Sequence, residues 1–332
     1  MKSRRATIEL CRLLTASRGS LVSGGRLSAE LGLTRQAVWK TVRDLAEEGF
    51  NIRSVPQKGY ILEGTPLYDL APSMTGALIP PSCPWGEEIF LFDSVGSTQE
   101  AAKKIGRQTG ADGLVVIAEE QTGGRGRRDR KWFSPRGRGL YFSVFFRPRI
   151  PPGRLQLINL AAALAVREGV RASLGAVPDI KWPNDLLIGE KKLCGILSEV
   201  SSDSERIRDC CTGIGINVFM DGEETGNYGN SGAAALSSER GTVHRGALCA
   251  SIIESFYRRV DGLGRDGGNS LLSDYRELCS TIGKKVSVFT DEGVYAGIAS
   301  GIGIDGELIV EGGDGAKAFC AADVVHATPE AW

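Results

Sequence analysis

Histidine is almost missing from this chain: His244 and His326 are the only two in 332 residues. That excludes a His-rich metal site and argues against a Ser-His-Asp triad. Cys-x-x-Cys spacing is missing as well. The eight cysteines (Cys11, Cys83, Cys194, Cys210, Cys211, Cys249, Cys279 and Cys320) form no zinc pattern, so no direct protein metal site is expected. Scattered and without a signal-peptide pattern ahead of them, they read as thiols of the reduced cytoplasm. No apolar run approaches the length of a membrane span, so no membrane partner is expected. P-loop spacing occurs nowhere. The dinucleotide fingerprint fails at Gly213 and Gly215, because Val218 stands where the third glycine belongs. It is complete at Gly301, Gly303 and Gly306, but a strand pattern at Glu307–Glu311 follows it. Asp305 and Gly306 therefore read as a hairpin turn.

Net charge is also lacking, with 40 Lys and Arg against 40 Asp and Glu. The balance hides an asymmetry. Residues 1–64 carry eleven Lys and Arg against six Asp and Glu. A basic first module on an otherwise acidic chain points to nucleic acid. Glycine is abundant: 44 residues, roughly twice the usual share. The glycines are dispersed, which implies many tight turns rather than a disordered tract.

The densest chemistry lies in Gln121–Trp132, which holds three glycines and five cationic side chains. Glycine lets backbone approach a ligand closely, and arginine and lysine suit carboxylate and phosphate. Trp132 offers a flat face for stacking. With no apolar residue between its ends, the loop has nothing to anchor it in a core and is expected to be mobile until an anion arrives. Taken alone, it could equally be a solvated basic turn or a nucleic-acid contact.

In the first 64 residues, Ile8, Cys11, Leu13 and Leu14 lie near helical spacing. A short helix is expected across Ser23–Leu31, a turn at Gly32, and a second helix from Arg35 to about Glu48 capped by Thr34. Val38, Thr41, Val42 and Leu45 share one face of that helix. Arg35, Gln36, Trp39, Lys40 and Arg43 lie mainly elsewhere, free for a DNA groove. Asn51–Leu62 reads as two strands about a Pro-Gln-Lys-Gly turn, a wing that offers Arg53 and Lys58 to phosphates. A winged helix-turn-helix follows; a small protein-interaction module is the alternative. Residues 65–82, with Pro66, Pro72, Pro80 and Pro81, read as a stiff linker.

Residues 83–278 alternate strand-like and helix-like segments. Glu88–Phe92 reads as a strand handing over at Ser97 and Thr98 to a helix through Ala101–Ile105, where hydroxyls and amides could meet a polar ligand or simply cap the helix. Gly113–Glu119 reads as a buried strand feeding the basic loop. Leu140–Phe146 reads as a strand and Leu155–Leu174 as a buried helix. Ile180–Asp185 places Lys181 at a strand end, either as a surface residue or as a fixed charge on an anion. Lys191–Glu199 and Asp209–Phe219 read as further strands. Residues 279–332 hold short strands separated by turns, which suggests a small barrel.

The set Ser97-Thr98, Gln121-x-x-Gly-Arg-Gly-Arg127, Lys181-Trp-Pro-Asn-Asp185, Lys192-Leu-x-Gly-Ile-Leu197 and Gly213-Ile-Gly-Ile-Asn217 resembles the biotin protein ligase family in order and approximate spacing. With the winged module in front, the chain resembles the bifunctional biotin operon repressors and ligases. The resemblance implies an α+β architecture: an N-terminal winged helix-turn-helix, a central α/β ligase domain of the class II synthetase-like type, and a C-terminal SH3-like β-barrel. It also implies that biotin and ATP with Mg2+ give biotinyl-5′-AMP, the intermediate and corepressor. The biotinyl group then passes to one lysine of the biotin carboxyl carrier protein of acetyl-CoA carboxylase. A homodimer would bind operator DNA.

The same resemblance implies roles for particular residues. Lys181, Arg125 and Arg127 would be catalytic. Ser97, Thr98, Gln99, Gln121, Gly124 and Gly126 would bind biotin together with those three cations. Arg127, Arg128, Trp132, Asn184, Lys192 and Asn217 would hold the adenylate. Gln99 stands where the family usually has Asn, and Asp129 replaces a small residue. Two other readings stay open: a ligand-sensing regulator without turnover, and a lipoate-type ligase on the same fold.

Overall fold

A computed structural model describes residues 4–17, 19–66, 69–203, 207–220, 232–237, 242–290, 293–313, 315–320 and 322–326, with the Asp129 side chain outside that description. The N-terminal module begins with α1 (Arg5–Ala16), β1 (Val22–Ser23) and α2 (Gly24–Leu31). Ser23 caps α2 by accepting from the Arg26 amide, and Gly32 ends it in the left-handed region at φ 62°. Thr34 caps α3 (Arg35–Glu47) by accepting from the Ala37 amide. Strands β2 (Asn51–Val55) and β3 (Gly59–Gly64) form the expected wing, and β1 adds a third strand on β3. Leu10, Leu14, Leu27, Val38, Leu45 and Phe50 close the small core.

The segment read as a stiff linker contains a helix. It folds into α4 (Pro72–Leu78), with proline at the first position, where no intrahelical N–H is needed. The N-terminal module holds both its ends. Glu48 accepts from the Ser73 amide and hydroxyl, each at 2.9 Å. Arg12 donates to the carbonyls of Gly76, Ala77 and Ile79.

The central sheet has seven strands: β4 (Ile89–Phe92), β5 (Leu114–Ala118), β6 (Gly139–Phe146), β7 (Asp179–Lys181), β8 (Asp185–Ile188), β9 (Lys191–Ser202) and β10 (Ile207–Asn217). Their order is β4-β5-β6-β10-β9-β8-β7, and only β4 and β5 run parallel. One face packs on α6 (Leu155–Leu174), α7 (Arg245–Asp266) and α8 (Asn269–Leu278) through a large apolar core. The other face is covered over β5, β6 and β10 by α5 (Thr98–Thr109). Gly106 of α5 makes this possible: a Cβ there would lie 2.2 Å from the Phe145 ring.

The C-terminal sheet runs β14-β13-β12-β11-β15, all antiparallel, over β11 (Lys285–Thr290), β12 (Gly293–Ile302), β13 (Leu308–Gly312), β14 (Gly315–Phe319) and β15 (Asp323–His326). Among the described residues no ladder joins β14 to β15, so hydrogen bonds do not close the barrel. The turn expected at Asp305 and Gly306 is present, with Gly306 at φ 88°. Among the described residues no helix is long and apolar enough to cross a membrane.

Candidate active site

Beyond the edge of α5 the sheet face is left open, and its floor is made of glycine. Gly195 pairs with Gly215 and Leu197 with Gly213 across β9 and β10. A Cβ on Gly215 would stand 2.4 Å from Trp132 Nε1, and one on Gly195 would stand 3.0 Å from the same ring. A Cβ on Gly213 would stand 2.8 Å from Gln99. The missing side chains let an indole and an amide lie flush on the sheet. Above them is a cavity of about 840 Å³ lined by parts of α5, the basic loop, β8–β10 and β15.

The N-terminus of α5 forms one wall. Ser97 is the cap residue, extended at φ −152°, and among the described residues its side chain makes no capping bond. The Thr98 amide and hydroxyl both donate to Gln121 Oε1, at 2.9 and 3.0 Å. Gln121 Nε2 donates to Ser134 Oγ at 3.0 Å. Gln99 is buried and donates to the carbonyls of Leu197 and Cys211. The sequence-predicted biotin contacts Ser97, Thr98, Gln99 and Gln121 thus meet in one cavity. Both amide N–H groups of Gln99 and one of Gln121 are engaged within the protein.

Polar contacts hold the basic loop, which the sequence expects to be mobile until an anion arrives, in one place. Arg125 pairs with Glu100 of α5 at 2.7 Å. Arg127 Nη1 donates to Ala322 O at 3.1 Å and to Asn184 Oδ1 at 3.4 Å. Arg128, left-handed at φ 52°, donates to Phe289 O and pairs with Asp323, as does Arg130. A non-glycine residue in that region marks local strain. The loop has no apolar anchor of its own, but carbonyls and one carboxylate of the C-terminal sheet replace it. Burial pulls the Arg127 pKa below its ordinary value, while Asp323 and Asp185 oppose the shift.

Lys192 pairs with Asp185 at 2.7 Å and its Nζ lies 5.4 Å from the centre of the Trp132 ring. Trp132 Nε1 is buried without a hydrogen-bond partner among the described residues, a donor left for something that enters the cavity. Asn184 lines the cavity and donates to Ile196 O at 2.7 Å.

Four predicted site residues do not line the cavity: Lys181, Gly124, Arg128 and Asn217. Asn217 lies beneath the lining. It is buried in β10 and its Nδ2 donates to Lys192 O, so its amide ties strands together. Gly124 is a close-approach position, where a Cβ would meet Trp132 O at 2.5 Å. Lys181 ends β7 just behind the lining. Burial lowers its pKa, the charges of Lys192 and Lys284 lower it further, and Asp185 and Asp323 work in the other direction. Arg130, Asp185, Gly195, Gly213, Gly215 and Asp323 do line the cavity without having been assigned to it from sequence. Arg130 lies in the basic loop, and Asp185, Gly195, Gly213 and Gly215 lie in the quoted motifs; nothing local marks Asp323.

In the N-terminal module, Arg35, Gln36, Trp39 and Arg43 are exposed on α3, and Lys40 is part-exposed beside them. Trp39 is 55% exposed and the Arg43 guanidinium stacks 5.4 Å from its ring centre. Lys58 is exposed at the wing tip. These six stand away from the module's core, on the helix and wing that a groove would meet.

Residues 91–217 match the biotin/lipoate A/B protein ligase family, and residues 7–61 match a helix-turn-helix domain. The chain is 32% identical over 317 residues to the bifunctional ligase/repressor BirA of Bacillus subtilis (strain 168), covering 95% of this chain and 97% of that protein. It is 30% identical over 312 residues to BirA of Escherichia coli (strain K12), covering 94% of each. Among solved structures, biotin protein ligase from Aquifex aeolicus in complex with biotin and ATP superposes with a TM-score of 0.62 at 25% identity. That match covers 72% of this chain and 99% of that one.

Proposed function

The chain belongs to the family of bifunctional biotin ligase/repressor proteins, and from that premise we propose how its residues divide the work. The protein is an ATP-dependent biotin protein ligase with a DNA-reading module. It joins biotin to AMP, passes the biotinyl group to a lysine of the carrier protein of acetyl-CoA carboxylase, and represses transcription. The observation that carries the site assignment is the single cavity in which Ser97, Thr98, Gln121, Arg127, Trp132, Asn184 and Lys192 meet over a glycine floor.

The chemistry needs positive charge. A biotin carboxylate oxygen attacks the α-phosphorus of ATP, an O–P bond forms, and the bond to the pyrophosphate oxygen breaks. Two anions must approach, and fixed cations offset their repulsion without reorganising. Lys181, Arg125 and Arg127 take this role in our reading, with Lys192 beside them. Ser97, Thr98, Gln99, Gln121 and the glycine loop hold the biotin end. Trp132, Arg128 and Asn184 hold the adenylate, the indole N–H offering an unused donor. ATP brings Mg2+ on its own phosphates. In the second step the acceptor amine attacks the acyl carbon and AMP leaves with the bonding electrons. Closure over the mixed anhydride excludes water.

The DNA contacts fall to Arg35, Gln36, Trp39, Lys40, Arg43 and Lys58. A homodimer would present two such modules to a two-fold operator, and the reading places the protein in the cytoplasm. Biotin transfer from MgATP and biotin to a purified carrier domain, followed by mass, tests the site. Lys181→Ala should slow transfer by about a hundredfold or more. A variant as fast as wild type would remove Lys181 from the mechanism.

A further inference from the structure

The basic loop leaves the sheet after β5 and returns at β6, so its shape is set at two roots. Both roots meet one side chain that lies outside the ligand cavity. Arg245, the first residue of α7, is 6% exposed. Its Nη1 donates to Glu119 Oε2 at 2.9 Å and to Gly139 O at 3.2 Å, and its Nη2 donates to Glu119 Oε1 at 2.7 Å. Glu119, 4% exposed, directly follows β5, and its Oε2 also accepts from the Gly137 amide at 3.1 Å. One guanidinium thus pins residue 119 at one root and, through residues 137 and 139, the other.

The remaining donors face elsewhere. Nε and Nη2 donate to the Asp69 carboxylate at 3.0 and 2.8 Å. All five N–H groups of Arg245 are engaged. Asp69 belongs to the segment that joins the DNA-reading module to the ligase, three residues ahead of α4. Its carboxylate also accepts from the Arg245 amide, and its carbonyl accepts from the Gly246 amide. A Cβ on Gly246 would come within 2.2 Å of that carbonyl, so the connector lies flush on the first turn of α7. Burial alone would lower the Arg245 pKa, but Glu119 and Asp69 outweigh it and leave it raised. Asp69 in turn is held below the ordinary carboxylate range, because its bonds and charge contact with Arg245 outweigh its burial.

We propose that Arg245 is a positioning residue for ligation: through Glu119 and Gly139 it fixes both roots of the ligand loop, and through Asp69 it couples that setting to the seating of the DNA-reading module. The inference rests on the assignment of the loop to biotin and the adenylate. Lysine cannot replace Arg245, because three donors on a flexible stem do not span two carboxylates and a carbonyl. Coupling of this kind is reciprocal: what a seated module gives to ligand binding, bound ligand gives to seating.

The test uses the full chain, steady-state ligation with biotin varied at saturating MgATP, and thermal unfolding as a fold control. Arg245→Lys should raise the biotin KM about tenfold or more while kcat changes little, the signature of lost ground-state positioning. Asp69→Asn leaves the Arg245–Glu119 pair in place and touches no loop residue. It should raise KM in the same sense by a smaller factor, about threefold. A general packing defect would lower the unfolding midpoint without this KM-only pattern. Should Arg245→Lys fail to fold, Asp69→Asn decides alone. A wild-type KM in Asp69→Asn overturns the coupling, and a wild-type KM in both variants overturns the proposal. Absence of turnover in the unaltered protein would instead overturn the ligase reading.

Discussion

Single positions decide how much room the cavity has. Gly215→Ala places a methyl group where the Trp132 indole lies, 2.4 Å from Nε1. The ring is rigid and must lift from the floor. Because Trp132 is part-exposed and lines the cavity, the cost falls on ligand binding more than on the fold. The Kd for ATP or biotin should rise about tenfold, roughly 1.4 kcal/mol, with little change in the unfolding midpoint. Titration calorimetry of biotin and of ATP checks this, and unchanged affinities would mean the indole is not a wall of the site.

His326 gives a pH prediction at the same scale. Its Nε2 lies 3.1 Å from Thr281 Oγ1 and its Nδ1 3.5 Å from Lys284 Nζ. Burial, then Lys181 and Lys284, push its pKa from the ordinary 6.5 down to about 4. The unfolded chain therefore takes up this proton at a higher pH than the folded one. The stability contribution is fully present above 6.5 and is lost as pH falls from there through about 4. After a discount for partial exposure it amounts to on the order of 2 kcal/mol. His326→Gln should lose less of its melting temperature than wild type between about pH 7 and about pH 4.5. Equal losses would show that the imidazole is not held neutral.

Elements whose pattern is local were legible in the sequence. Helix α3 begins after Thr34 as expected, and α6 spans Leu155–Leu174 as expected, because capping and apolar periodicity lie within each segment. Two kinds of element were not. The four prolines of residues 65–82 suggested a linker, yet Pro72 sits where proline starts a helix, and α4 is held by Glu48 and Arg12 from outside. Helix α7 contains Gly246, Gly262 and Gly264, which weaken its helical signal. Burial of Leu248, Ile252, Ile253 and Phe256 overrides the propensity. The recognition helix carries its own prediction. Replacing Arg35 and Lys40 together by Ala should weaken operator binding about tenfold or more and flatten its salt dependence by roughly two in log–log slope. Unchanged binding, measured by fluorescence anisotropy with biotin and MgATP present, would move DNA contact to another surface.

At the scale of the whole molecule, three sequence modules share their boundaries. Arg12 and Glu48 of the first module cap α4, Asp69 joins the connector to α7, and Arg127, Arg128 and Arg130 tie the ligand loop to the C-terminal sheet. The cavity's polar lining was largely legible because motifs place its parts at fixed offsets. The anchoring was not, because Arg127 meets Ala322 across 195 residues of sequence. No local pattern reports so distant a pairing. The central claim is adenylation of biotin in that cavity, and ATP–pyrophosphate exchange with purified protein reads it directly. The account predicts exchange that requires biotin, does not occur with lipoate, and disappears in Lys181→Ala. Exchange with lipoate in place of biotin, or no exchange with either, would contradict it.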